Sequence, residues 1–401
     1  MLSERWLRRN PEEARAALAR RGAGAPTLTA LDAWLALDVE RRAAATHFDA
    51  LAGQAEQAVE TREARRALEE LTARQRAVAL TLPNAPDPRA PDGNSPDANR
   101  LVRVWGAPPA FAFTPKPHDA LGAALGLLDP PRATRMSGPR FPLLLGAGAR
   151  LARALAAWLL DAHTTVGYLE VAPPDLLRAE TLVGTGHLPA HEDELFAIPR
   201  DHLYLSPTAE AQLVAFYAGE TLEAARLPVK LTAYTQAYRR EAGSAGAKTR
   251  GLLRQRQFGK VELVQIVAPE EADVALEEMI AQAETSLRAL GLPYRLVEVC
   301  AGELPFSAQR SFDLEVWMPS LGAYLEIASL SDCGTFQARR LALRYRPKPG
   351  ATARYPHTLN GSALPIGRTL AALLENGQRA DGSVALPAAL APYGVPNELR
   401  A

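Results

Sequence analysis

Residues 237–262, AYRREAGSAGAKTRGLLRQRQFGKVE, decide how the rest of the chain is read. They hold seven cationic side chains, two glutamates and four glycines in a chain of zero net charge. Residues 230–239 and 257–267 have the texture of two antiparallel strands joined by a long loop that carries Gly243, Gly246 and Gly251. Loops of about a dozen residues between strands are uncommon and tend to be functional. Strand side chains alternate faces, so Arg239 and Glu241 share a face if the first strand runs that far. On the return, Arg254, Arg256, Phe258, Lys260 and Glu262 share one parity. A face that combines cations, a ring and an acid needs a partner that is anionic, aromatic and amine-bearing. The alternative is a solvated face of mixed charge. The glycine-bearing loop and Phe258 argue against it. ATP together with an amino acid fits the set: guanidinium forks suit phosphate and carboxylate, a ring suits adenine, and a carboxylate suits an ammonium.

At 401 residues the chain is long for one domain, so two are expected. Its 47% apolar content is ample for a large core. Lys plus Arg equals Asp plus Glu at 45 each, so any nucleic-acid surface must be local. Two cysteines, Cys300 and Cys333, are too few for a disulfide framework or a multi-thiolate zinc site. Both are expected to be buried, and no zinc is expected. No apolar run approaches the ~18 residues of a membrane span, and MLSERWLRRNPEE lacks a signal-peptide core. A cytoplasmic protein without membrane contact is expected. His187 and His191, four residues apart but outside an HExxH order, are expected at the surface.

Asn10-Pro11-Glu12-Glu13 opens a helix: Asn can cap, Pro suits the first turn, and the carboxylates face the positive helix end. Residues 29–80 contain no proline. Leu68, Leu71, Gln75, Val78 and Leu82 repeat at coiled-coil spacing, with Leu31, Trp34, Phe48 and Leu51 as facing residues. A break over 53–61 reverses the chain, which gives an antiparallel two-helix arm. The stretch LPNAPDPRAPDGNSPDANR then reads as a linker. Beyond about Val104, helices are expected over 147–162, 269–290 and 368–376. Strands are expected over 203–205, 230–238, 257–267, 294–300, 311–317, 324–328 and 341–345. Strands that do not alternate strictly with helices suggest an antiparallel or mixed sheet, an α+β fold. Residues 1–105 are expected to form the arm domain with its linker, and 106–401 a catalytic domain.

These residues resemble a known family. YRREAG…RGLLRQRQFGKVE is similar to motif 2 of the class II aminoacyl-tRNA synthetases in its seryl form, and HTLNGSALPIGRTLAALLENGQ to motif 3. VGYLEVAPPDLL is similar to motif 1. GTGHLP, YLSPTAEA and YLEIASLSDCGTFQARR resemble the seryl enzymes in particular. The resemblance implies a catalytic domain on an antiparallel sheet flanked by helices and preceded by a helical arm. It implies a homodimer with motif 1 at the interface and an arm that grips serine tRNA. The implied reaction is serine activation by ATP and transfer of the seryl group to the tRNA 3′ end. By the same resemblance, Arg239 holds the α-phosphate and serine carboxylate, Glu241 the adenine amino group, and Arg254 the outer phosphates. Phe258 stacks on adenine, Glu262 reads serine, and Thr208 and Glu210 surround its ammonium. Glu326 and Ser329 hold Mg2+ and ATP, Asn360 and Ser362 complete the serine pocket, and Arg368 takes the γ-phosphate. Arg239, Arg254 and Arg368 are the expected catalytic set. Arg62, Arg65, Arg66 and Arg76 are the expected tRNA contacts.

Several positions depart from the family pattern: Arg256 stands for the usual histidine and Arg240 for a common serine, Ala328, Leu330 and Asp332 break the usual Ser-Ser-Cys-Ser-Asn order, and Pro365 and Gly377 are also unusual. The arm is shorter than the family's by about a dozen residues per helix, or roughly 18 Å. The alternative is a paralogue that makes seryl-adenylate but loads a carrier protein. The retained arm arginines favour tRNA.

Overall fold

The computed structural model describes residues 1–22, 24–52, 58–242 and 250–400. Gly243 and Gly246 therefore lie outside the described residues, as does the centre of the arm's reversal. Helix α1 (Glu4–Arg9) starts where the Ser3 hydroxyl accepts the Trp6 N–H at 3.4 Å. Helix α2 (Pro11–Ala19) carries Pro, Glu12 and Glu13 in its first turn as expected, although the Asn10 side chain makes no capping bond. The arm is α3 (Gly24–Leu51) and α4 (Ala58–Thr81), 28 and 24 residues long. At 1.5 Å per residue these helices reach roughly 42 and 36 Å. Their direction is fixed by paired contacts. Gln75 Nε2 donates to Asp38 at 3.1 Å, Arg65 sits over the Phe48 ring at 5.5 Å, and the Thr61 hydroxyl reaches the Leu51 carbonyl at 3.3 Å.

The expected seam is tight only at the arm's base. Leu31, Trp34 and Leu82 are fully buried and pack with Leu7, Leu18 and Phe336. Phe48, Leu51, Leu68 and Leu71, further out, are half-buried. Gln75 is buried because Asp38 sits opposite it. Asp38 accepts Arg8 Nη2 at 2.7 Å and Arg42 Nε at 3.0 Å, and these donors hold its carboxyl far below the usual range.

After the arm come β1 (Arg100–Trp105), α5 (His118–Ala124), α6 (Pro130–Ser137) and α7 (Gly146–Thr165). They are followed by β2 (Leu169–Glu170), β3 (Leu176–Arg178), α8 (Ala179–Thr185), β4 (Ala197–Ile198), β5 (Leu203–Leu205) and α9 (Glu210–Val214). The second half holds β6 (Thr221–Glu223), β7 (Val229–Tyr238), β8 (Gln257–Val267), α10 (Ala272–Ala289), β9 (Tyr294–Glu298), β10 (Arg310–Met318) and β11 (Ala323–Asp332). It continues with α11 (Phe336–Arg340), β12 (Arg344–Arg346), β13 (His357–Pro365) and α12 (Ile366–Gly377).

The main sheet has eight strands in the order β1-β9-β10-β11-β13-β8-β7-β2. Every pair is antiparallel except β2 with β7. Strand β8 is buried on both faces at its far end. Val261, Leu263 and Val267 pack in the cluster formed with α10 and α12, while Val264 and Ile266 pack with residues of α9. The strand expected over 341–345 forms only at Arg344–Arg346, because α11 runs to Arg340 and Ala342 turns the chain with φ of 53°. Strand β1 was not anticipated: it starts at Arg100, the last residue of the stretch read as a linker, and pairs with β9. The proline-rich stretch before it forms turns and a short 3-10 helix at Pro96–Ala98 rather than an α-helix, and it is pinned. Asn84 Nδ2 donates to the Ser307 and Cys333 carbonyls at 2.9 Å each. The buried Arg21 guanidinium donates to the Leu304, Pro305 and Ala308 carbonyls. Cys300 and Cys333 are free and buried, as expected.

Candidate active site

A cleft of about 580 Å³ opens beside the even-numbered face of β8. It is lined by all twelve residues singled out for ATP and serine, from Thr208 to Arg368. Phe258, Lys260 and Glu262 reach it by strand alternation, as the parity required. Strand alternation does not extend to Arg254 and Arg256, because β8 begins only at Gln257. Arg254 still lines the cleft, whereas Arg256 is held away by its Nε bond to the Arg240 carbonyl at 3.1 Å. Strand β7 likewise stops at Tyr238. Glu241 enters the cleft through a left-handed backbone, φ 52°, with its N–H donated to Glu194 Oε2 at 2.8 Å.

At one end of the cleft the β13–β8 register sets Ser362 opposite Glu262. Thr208 Oγ1 donates to Glu262 Oε2 at 3.2 Å and accepts the Glu210 N–H at 3.3 Å. Glu210 Oε1 accepts Gln337 Nε2 at 2.7 Å and Asn360 Nδ2 at 3.2 Å. Burial, then the nearby Glu262, push the Glu210 carboxyl up to about 7. Lys260 is ion-paired with Glu262, and both are buried. This end offers carboxylates to an ammonium, and hydroxyl, amide and carboxylate groups to a small polar side chain.

Toward the other end, the Arg239 guanidinium stands 5.4 Å from the Phe258 ring centroid and donates Nε to the Pro207 carbonyl at 3.1 Å. Arg254 is ion-paired with Glu241. Arg368 leaves the first turn of α12, donates Nε to the Leu253 carbonyl at 2.9 Å, and lies 3.4 Å from Glu326 Oε1. Three guanidinium groups and one ring therefore converge on a single cleft. Ser329 Oγ lies 3.1 Å from Ser311 Oγ, and the register pairs Ser329 with Asp313. Burial, then Glu326, push the Asp313 carboxyl up to about 8.

Several groups were missed by sequence reading. His187 and His191 both line the cleft, which corrects the surface expectation for His187. His191 is exposed, but His187 is half-buried with Nδ1 2.9 Å from Thr185 Oγ1. Burial, then Arg239, His191 and Lys260, push its imidazole down to about 3. Glu194, Gln255 and Lys260 also face the cleft. Lys260 was legible in the strand parity. Glu194 carried no signal, because it reaches Glu241 from a separate loop.

A family model described as tRNA synthetase class II core domain (G, H, P, S and T) matches residues 195–377. The serine–tRNA ligase of Geobacter sulfurreducens is 43% identical, over 98% of this chain and 98% of its own. The chain belongs to the serine–tRNA ligase family. A serine–tRNA ligase of Acidithiobacillus ferrooxidans is 50% identical over 81% of this chain and 77% of its own. The seryl-tRNA synthetase of Pyrococcus horikoshii, solved with ATP, superposes with a TM-score of 0.93 at 32% identity, covering 100% of this chain and 99% of that one. The cytoplasmic serine–tRNA ligase of Naegleria fowleri, solved with AMP, gives 0.87 at 27% identity. The family expected from the motifs is the family found. The expected fold, an antiparallel sheet flanked by helices behind a helical arm, is the serine–tRNA ligase fold.

Proposed function

We propose that this chain is a serine–tRNA ligase that works as the motif resemblance implies. The observation that carries the proposal is the convergence of Arg239, Arg254, Arg368 and Phe258 on the same cleft as Thr208, Glu210, Glu262, Asn360 and Ser362. In the first step a serine carboxylate oxygen attacks the α-phosphorus of ATP, the bond to the pyrophosphate oxygen breaks, and seryl-adenylate remains. Activation is positioning plus charge stabilisation, since the carboxylate is already a nucleophile. Arg239 steadies the α-phosphate, with Phe258 beneath adenine and Glu241 at its amino group. Arg254 and Arg368 hold the departing pyrophosphate. In the second step a terminal tRNA hydroxyl attacks the seryl carbonyl and AMP leaves. Glu262 and Ser362 read the serine hydroxyl. A site built to bond a hydroxyl rejects analogues that lack it by roughly 10⁴-fold or more.

Mg2+ fits the residues present. Glu326 and Ser329 offer hard oxygen donors, which suit Mg2+. Asp313 Oδ1 beside them is buried without a hydrogen-bond partner among the described residues. Glu326 and Ser329 would hold the ion. When bound it neutralises charge on the phosphate oxygens.

The arm is proposed to read serine tRNA through Arg62, Arg65, Arg66 and Arg76, all exposed on α4. The homodimer is proposed to form at motif 1. There Val166, Leu169 and Leu176 are exposed, and β2 is an edge strand. No helix among the described residues is long and apolar enough to cross a membrane, and a cytoplasmic location is proposed. The carrier-loading alternative is not supported by the relatives found. Serine-dependent ATP–pyrophosphate exchange, followed by charging of purified serine tRNA, tests the reading. Exchange without charging at low salt overturns it.

A further inference from the structure

His118 and Asp119 open α5, and neither was assigned a role. His118 is buried at 1% exposure. Its Nδ1 lies 2.9 Å from Glu375 Oε1, and its backbone N–H donates to the same oxygen at 3.0 Å. Glu375 Oε2 accepts the Ser320 N–H at 3.0 Å. Burial alone would raise the Glu375 carboxyl, but the bonds from His118 and Ser320 outweigh it and hold the group below its usual range. An ionised Glu375 only accepts, so Nδ1 carries the ring proton. Nε2 then has a free lone pair, and the Leu252 N–H donates to it at 3.0 Å.

Leu252 sits at a junction. The next carbonyl, of Leu253, accepts Arg368 Nε at 2.9 Å, and the next side chain is Arg254. Helix α12 supplies Arg368 in its first turn and Glu375 two turns later on the same face. One helix thus grips residues 252–253 twice: directly through Arg368, and through Glu375 by way of the imidazole. The fit is close. Gly251 has φ of 56°, and a Cβ there would stand 2.4 Å from His118 Nε2. Arg250 is ion-paired with Asp119 at 2.6 Å, which ties the same segment to α5 once more.

We propose that His118 is a positioning residue: its Nδ1-protonated ring, oriented by Glu375, fixes the Leu252 backbone and so places Arg254 and Arg368 for the outer phosphates of ATP. The proposal rests on the ligase reading of the cleft. Asparagine places an amide nitrogen near Nδ1 and leaves the Leu252 N–H without an acceptor, whereas glutamine places an oxygen near Nε2. His118→Asn is therefore expected to weaken ATP binding and raise the KM for ATP at least about tenfold, with the KM for serine unchanged. His118→Gln recovers most of that loss. Gly251→Ala, which leaves His118 and Glu375 intact, reproduces the ATP defect from the loop side. Nitrogen-15 shifts of the His118 ring in the full chain should report a proton on Nδ1. A proton on Nε2, equal ATP affinity in the Asn variant and wild type, or equal loss in both variants with the serine KM rising and the melting temperature falling alongside, overturns the proposal. ATP affinity and the ring shifts are read without serine or tRNA. A wild-type chain without serine-dependent exchange defeats the ligase reading separately.

Discussion

At the scale of single residues, the cleft was legible wherever chemistry and spacing coincided. Phe258, Lys260 and Glu262 share a strand face because side chains alternate, and Arg368 follows the strand-to-helix junction at Pro365–Ile366. What was not legible came from elements distant in sequence. Glu194 caps the Glu241 backbone across 47 positions, and His118 meets Leu252 across 134. No local pattern encodes either contact. The Arg368 assignment predicts that Arg368→Ala lowers kcat/KM for ATP in pyrophosphate exchange by about a hundredfold or more. Unchanged exchange in the folded variant would remove the assignment. Glu210 gives a pH prediction. Its folded-state value, about 7, lies above the ordinary carboxylate value, so the fold favours the protonated form. The associated stability is fully present below the ordinary value and is lost as pH rises through about 7. A serine ammonium favours the ionised form and must expel that proton. Serine affinity should therefore fall as pH drops below about 7, with proton release seen by calorimetry in buffers of different ionisation enthalpy. Release that persists in Glu210→Gln would assign the proton elsewhere.

At the scale of elements, the arm shows why a heptad pattern predicts pairing better than depth. The leucine, tryptophan and valine positions located both helices, and the break expected over 53–61 gave their antiparallel sense. Only the base has neighbours in α1, α2 and α11 to bury them. The outer half is a two-helix ribbon with half-buried seam residues. Asp38 marks the boundary, and its position sets how the arm can be tested. Removing residues 40–76 would take Arg41, Arg42 and Gln75 from a buried carboxylate and leave it Arg8 alone. Breaking a buried charge network in this way costs about 3 kcal/mol or more, so lost activity would report damage at the base. Replacing residues 45–72 by a short turn keeps that network and removes Arg62, Arg65 and Arg66. The trimmed chain is expected to melt near wild type, exchange pyrophosphate normally and fail to charge serine tRNA. In the full chain, charging should fall steeply as salt rises, since phosphate contacts release counterions, while exchange holds. Undiminished charging by the trimmed chain would mean that the arm does not read tRNA.

At the scale of the whole molecule, every residue assigned to ATP and serine comes from one chain, so a dimer is not needed to complete the cleft. The case for it lies in surface chemistry. Strand β2 ends the main sheet with two residues beside β7. Open sheet edges invite pairing with another chain. Within the same segment Leu169 is 58% exposed, Val166 48% and Leu176 47%. Scattered exposed apolar residues are ordinary, but three within a dozen positions beside an open edge suit a contact between copies. A stable interface of that kind buries about 800 Å² per partner, and a carboxylate near its centre without a partner is costly to desolvate. Leu169→Glu is therefore expected to shift sedimentation from twice the 43.1 kDa chain mass toward the single chain. Leu169 points outward and contributes to no buried cluster, so the separated chain should keep its cleft and bind ATP. Tyr234→Asp on β7, also exposed at 38%, should act in the same direction if β7 belongs to the contact. A wild-type chain that sediments at the single-chain mass at all concentrations would end the dimer reading. A Leu169→Glu variant that stays dimeric would move the interface away from motif 1, and the exposed Leu101 and Val104 of β1, at the opposite edge of the sheet, would be the next surface to alter.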